Sequence, residues 1–160
     1  MLKHKLSVNT RGDCDIVITR VFNAPRSLVF AAWTQPEHVK RWFRGCRQLE
    51  LIICDINLYV GGTWRYVLHD LNTGTDFALN GEYREIVPPE RLVATERYEL
   101  IPNSDRLNTL TLTEHDGKTT LCIHVQHVSK EQRDGHLRSG LEIGLYGTLN
   151  RLEECLQTMM

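Results

Sequence analysis

Along most of this chain apolar and polar positions alternate with a period of two, the signature of half-buried strands. The clearest case is Thr109-Leu110-Thr111-Leu112-Thr113, suited to a sheet wetted on one face. Further strands are predicted for Asp15 to Phe22, Gln48 to Asp55, Thr63 to His69, Phe77 to Ile86, Leu92 to Leu100 and Thr119 to Val128. Turn chemistry separates them: Gly61-Gly62, Leu71 to Thr75, Pro88-Pro89, Pro102 to Asp105 and Asp116-Gly117. Residues 1 to 14 show no sustained period and are expected to form an N-terminal arm, with Arg11-Gly12-Asp13 as a turn.

The period lengthens in two places. After the first strand, Leu28, Val29, Ala32 and Trp33 mark the buried face of a short helix that Asn23 is placed to cap. A second short helix restarts at Thr34 and Pro36, with Val39, Trp42 and Phe43 on its apolar side. From Ser129 onward, Leu137, Leu141, Leu145, Thr148, Leu152, Cys155 and Met159 fall on one side at about 100° per residue. Ser139, Glu142, Asn150, Glu153 and Gln157 are expected to face away. Gly140, Gly144 and Gly147 lie beside the stripe, where small residues leave room for a close approach or a cavity. The pattern therefore predicts a single α+β domain over residues 15 to 160. Its curved antiparallel sheet of about seven strands wraps a long C-terminal helix over residues 130 to 157, with two short helices after the first strand.

Composition narrows the classes. The 160 residues carry 19 basic and 20 acidic side chains with no basic tract, which argues against a nucleic-acid partner. The longest apolar runs, such as Leu49 to Cys54, are too short to span a membrane, and no apolar segment follows Lys3 and Lys5 as a secretory signal requires. Five cysteines (Cys14, Cys46, Cys54, Cys122 and Cys155) without paired spacing read as reduced thiols in a cytoplasmic protein.

Four ordered blocks carry a family resemblance: Thr19 to Trp42 (TRVFNAPRSLVFAAWTQPEHVKRW), Gly61 to Tyr66 (GGTWRY), Gly81 to Val93 (GEYREIVPPERLV) and Arg133 to Gly144 (RDGHLRSGLEIG). Together they resemble the heat-shock-protein ATPase activator-like (Aha-type) family of the START-like, or SRPBCC, helix-grip superfamily. The resemblance implies a START-like helix-grip fold, and a superfamily that hosts carriers, cyclases and chaperone partners on that fold. Tyr59 stands where many relatives resemble an Arg-x-Gly-Gly pattern, which removes a basic group from that rim. The eukaryotic activator has an additional N-terminal domain for which these 160 residues leave no room, so a chaperone partner is not carried over.

Catalytic and metal constellations are not evident in the sequence. His124 and His127 fall on opposite faces of a strand, with no Cys or carboxylate at ligand spacing, so no metal and no cofactor are expected. Gly61-Gly62 does not continue into a phosphate-binding motif. Glu82, Arg84, Glu96 and Arg97 read as cross-strand ion pairs on the wetted face. Glu85 and Glu96 are the positions whose parity would suit a buried general base of the kind that cyclase-like members imply.

The aromatic set carries more. Trp64, Tyr66, Phe77 and Tyr83 share inward parity on neighbouring strands, and reads either as a packed core or as a cavity lining. As a lining, it is expected to face Leu141, Gly144 and Leu145 across a pocket, with Trp42 near the mouth and His127 reaching in. A leucine at position 144 would then fill the pocket and overpack it, at about 1–3 kcal/mol. The leading function is binding of a small hydrophobic or amphipathic molecule. The alternatives are an enzyme of polyketide-cyclase type on an aromatic substrate, and a chaperone-linked interaction domain. Ile143 and Tyr146, adjacent on the polar side of the helix, are expected to support a weak homodimer.

Overall fold

The computed structural model describes residues 4–44 and 48–160. Cys46 and the first three residues of the expected arm lie outside them. Eight strands form one antiparallel sheet: β1 (Ser7–Arg11), β2 (Asp15–Phe22), β3 (Leu49–Ile56), β4 (Thr63–Asp70), β5 (Asp76–Val87), β6 (Arg91–Tyr98), β7 (Arg106–His115) and β8 (Lys118–His127). Their order across the sheet is β1-β2-β8-β7-β6-β5-β4-β3, so the chain runs as a meander from β3 to β8 and closes on β2. Bulges after Leu51 and Tyr83 add curvature. Helices α1 (Arg26–Thr34) and α2 (Pro36–Trp42) follow β2, and α3 (Lys130–Arg138) and α4 (Leu141–Met159) follow β8.

Much of this follows from local chemistry. Asp116 and Gly117 both have positive φ (51° and 75°), which makes the two-residue β7–β8 connection a type I′ hairpin turn. Alternation along β2 buries Ile16, Ile18, Arg20 and Phe22 and leaves the intervening residues half-buried. On β8 the same rule buries Leu121, Ile123 and Val125. These residues and α4's Leu149, Leu152 and Leu156 form the core between sheet and helix.

Four features differ from the sequence expectations. The expected arm contains β1, which pairs with β2 in register from Ser7↔Thr19 to Arg11↔Asp15. Its residues are mostly exposed, so they carry no alternating burial signal. The expected long helix is two helices. Gly140 takes φ +89°, a left-handed conformation that suits glycine and ends the run between α3 and α4. Consequently Leu152 is buried, whereas Leu137, Leu141 and Leu145 are only half-buried.

The third difference is at Asn23, which does not cap α1; Pro25 holds that position. Asn23 instead donates its backbone N–H to Glu153 Oε1 at 3.3 Å, and its side-chain oxygen is 2.9 Å from His4 Nε2. The fourth is that Asn150 and Glu153, expected to face solvent, are 7% and 2% exposed. They turn inward because Arg20, on the concave face of β2, donates to Asn150 Oδ1 at 2.6 Å. An apolar stripe alone cannot show that its polar neighbours have a buried partner on a distant strand.

Candidate functional site

Two hollows stand out among the described residues in the groove between the sheet and its helices. The larger is an open cleft of about 860 Å³ bounded by β5, β6, the β6–β7 loop, the end of β8 and the α3–α4 junction. Phe77 and Tyr98 form one wall, stacked with centroids 5.7 Å apart. Ile101 and Pro102 come from the loop, Ile143 and Gly144 from α4, and His127 and His136 from β8 and α3. The smaller is a nook of about 100 Å³ among Trp33, Trp42, Phe43, Trp64, Tyr66 and Tyr83, with Glu96 and Asn108 also at its wall.

The nine residues singled out by the sequence therefore divide. Trp42, Trp64, Tyr66 and Tyr83 come together in the nook, and Phe77, His127 and Gly144 come together in the cleft. Leu141 and Leu145 line neither hollow; they pack half-buried against the core. Trp42 is not at a mouth. It is 1% exposed and donates its indole N–H to Ala32 O at 2.9 Å. Ile143 and Tyr146 are 69% and 52% exposed, beside Lys5, Leu6 and Glu142 around a shallow depression.

A row of polar side chains crosses the concave face near both hollows. Glu96 on β6, Arg106 on β7 and His127 on β8 are register neighbours, strand to strand. Arg106 Nε donates to Glu96 Oε1 at 2.7 Å, and Asn108 Nδ2 donates to the same oxygen at 3.0 Å. Both members of the ion pair are only 14% exposed, so Glu96 is not part of the wetted face where cross-strand pairs were expected. Glu85, by contrast, is an exposed partner of Arg91 at 3.1 Å. Burial works against the Glu96 charge, but Arg106 and the hydrogen bond from Asn108 outweigh it and hold the carboxyl below its ordinary value. A carboxylate whose pKa is held down in this way is a weak base, which suits a structural or binding role better than proton abstraction.

His136 from α3 closes over the end of the row, its Nδ1 2.9 Å from His127 Nε2. Burial, and then the Arg106 charge, lowers both imidazoles, His136 to about 3. Both are thus neutral at pH 7, and one ring donates to the other. Each keeps a second ring nitrogen, so the pair has hydrogen-bonding capacity left over without charge. Arg106, Asn108 and His136 were not singled out from the sequence, although Arg106 and Asn108 share inward parity with Leu110 and Leu112.

The neutral imidazoles also make stability pH-dependent. A histidine whose folded pKa lies below 6.5 contributes stability that is complete above that pH. It is lost as the pH falls toward about 3, because the unfolded chain takes the proton first. The melting temperature should fall from pH 6.5 downward, and His136→Gln should flatten the upper part of that fall. An unchanged slope in the variant would remove His136 from the account.

The fold matches a protein from Rhodobacter sphaeroides with a TM-score of 0.89 at 24% identity, covering 96% of this chain and 99% of that one. A protein from Nitrosomonas europaea matches with a TM-score of 0.83 at 25% identity, over 95% and 99% of the two chains. The AHSA1-like protein from Aeromonas hydrophila matches with a TM-score of 0.72 at 16% identity, over 89% and 93%. No curated protein matches in sequence. Among the described residues no helix is long and apolar enough to cross a membrane, and no cluster of three or more His, Cys, Asp or Glu is placed to hold a metal. The family profile of the Activator of Hsp90 ATPase homolog 1-like proteins matches residues 23–157, and with the helix-grip fold now described, the chain belongs to that family.

Proposed function

We propose that this protein binds a small hydrophobic or amphipathic molecule in the cleft between the sheet and the α3–α4 junction. The observation that carries the reading is the cleft itself: about 860 Å³, walled by Phe77, Tyr98, Ile101 and Ile143, with the neutral His127–His136 pair at one side. Its size falls within the range of small-molecule sites, and such sites combine apolar walls with a few convergent polar groups. The apolar body of the ligand would lie on Phe77 and Tyr98, and an uncharged polar end would meet the free nitrogens of the imidazole pair. The free thiols Cys14, Cys54, Cys122 and Cys155 support a cytoplasmic setting.

The inward Glu96–Arg106 pair is the one observation that favours an enzyme of polyketide-cyclase type instead. The Arg106 ion pair, which holds the Glu96 carboxyl below its ordinary value, weighs against it. A chaperone-linked role is supported by the family's name alone.

Gly144 tests the binding reading. A Cβ at this position meets nothing within 4 Å, so a leucine would project into open cleft rather than overpack a core. The fold should gain up to about 1 kcal/mol of helix propensity instead of losing stability. Titration with the neutral dye N-phenyl-1-naphthylamine should show saturable fluorescence enhancement on the parent protein. Gly144→Leu should weaken it at least tenfold at an unchanged or raised melting temperature. Equal dye affinity in both proteins would sink the cleft as the binding site.

A further inference from the structure

The nook has a chemistry of its own. Its wall is a succession of touching rings: Trp33 on Trp42 at 4.8 Å, Trp42 on Phe43 at 5.7 Å, Phe43 on Tyr66 at 5.0 Å, and Tyr66 on Trp64 at 4.7 Å between centroids. Its donors are largely spent. The indole N–H groups of Trp42 and Trp64 go to the backbone carbonyls of Ala32 (2.9 Å) and Thr95 (3.1 Å), and Asn108 gives its amide N–H to Glu96.

Its acceptors are not spent. Asn108 Oδ1 is fully buried with no hydrogen-bond partner among the described residues. Both bonds to the Glu96 carboxylate fall on Oε1, which leaves Oε2 without a protein partner among the described residues. The hydroxyls of Tyr66 and Tyr83 likewise have no protein partner among them, and Tyr66 lies within the fields of Tyr83 and Glu96. Arg106 offsets part of the Glu96 charge through Oε1, but it is not at the nook wall.

An aromatic enclosure with a carboxylate and an unpartnered amide oxygen at its wall is the wrong surroundings for an anion and the right one for a cation that carries N–H bonds, to which the two tyrosine hydroxyls can also turn their oxygens. We propose that the nook is a second binding site, for a small alkylammonium group. Ring faces attract the charge, Asn108 Oδ1 and Glu96 Oε2 accept its N–H bonds, and about 100 Å³ admits an ammonium with a few carbons. The cleft and the nook share no lining residue, so this site goes beyond the binding proposed above and stands or falls separately.

All three tryptophans of the chain stand at the nook, so intrinsic fluorescence reports its occupancy. At constant ionic strength, n-butylammonium should give a saturable change, and 1-butanol should bind at least tenfold more weakly. Butanoate should give none, because its charge would meet the Glu96 carboxylate and the ring faces, a repulsion that two tyrosine O–H donors do not offset. Tetramethylammonium should bind at least fivefold more weakly than n-butylammonium, because it has no N–H for Asn108. Asn108→Leu should cut n-butylammonium affinity at least fivefold. Tyr66→Phe, which keeps the ring and removes one acceptor, provides a milder variant of the same sign should the first fail to fold by circular dichroism. Dye bound in the cleft should not be displaced. Equal responses to n-butylammonium and 1-butanol, or an unsaturable response that means water alone fills the nook, would overturn the proposal.

Discussion

Replacing Arg20 by methionine is expected to destabilise the fold by about 3–5 kcal/mol, the range for removing one partner from a buried charged network. The guanidinium is 1% exposed, donates to Asn150 Oδ1 at 2.6 Å and lies 5.0 Å from the Phe22 ring centroid. Burial lowers its pKa, and the Glu153 charge works in the other direction. Methionine would leave Asn150 and Glu153 buried opposite an apolar chain. The network is itself incomplete: Arg20 Nε and Nη2 and Glu153 Oε2 have no protein partner among the described residues. Adding Glu153→Leu to Arg20→Met should therefore recover part of the loss, since it removes the unpaired charge, while Asn150 Oδ1 and the Asn23 N–H still lack their partners. Urea denaturation of the two variants measures both quantities. A single-variant cost below about 1 kcal/mol would mean that the network does not hold α4 on β2.

Gly81→Val is expected to cost about 3 kcal/mol, the upper part of the overpacking range. A Cβ at position 81 would run into the Thr95 carbonyl oxygen and the Trp64 indole nitrogen, which are themselves hydrogen-bonded at 3.1 Å. The obstacle is backbone, so no side-chain rotation relieves it. At this point β5 and β6 also depart from a regular ladder, since Glu82 N donates to Thr95 Oγ1 at 2.9 Å. The emission maximum of Trp64 should move to the red as the indole loses its carbonyl and gains water. A variant as stable as the parent, with unshifted emission, would show that β5 and β6 separate there without penalty.

These two positions show what the sequence could and could not convey. Parity along β4 and β5 was enough to turn Trp64, Tyr66 and Tyr83 inward, and Asp116-Gly117 was enough to specify a hairpin. Parity says which face a side chain takes, but not how far along the groove it stands. Phe77, toward the far end of β5, accordingly fell into the cleft and the other three into the nook. Periodicity also runs through Gly140 undisturbed, because the leucines keep phase on both sides of it. Only the left-handed φ at that glycine reveals two helices. Arg20 is the strongest case. Its partner Asn150 is 130 residues away in sequence, and nothing local to either one predicts the bond.

The break at Gly140 divides the groove into parts of unequal permanence. Helix α4 is anchored by Leu149, Leu152 and Leu156 and opens only when the core does. Helix α3 is nine residues long, too short to persist alone, and the one residue it buries is Arg133. It is held by polar ties: Ser129 caps it through Gln132 N at 3.1 Å, and Arg133 donates to the carbonyls of Gly12 and Asp15 at 3.2 and 3.1 Å. Gln132 Nε2 adds a 2.6 Å bond to Asn103 O across the cleft rim. Apart from the half-buried Leu137 and the His136–His127 contact, these ties break without opening the core, so the amides of α3 are expected to exchange with solvent through openings that leave α4 and the sheet closed. The cleft is thus expected to have one side that lasts as long as the fold and another that is renewed many times within that lifetime.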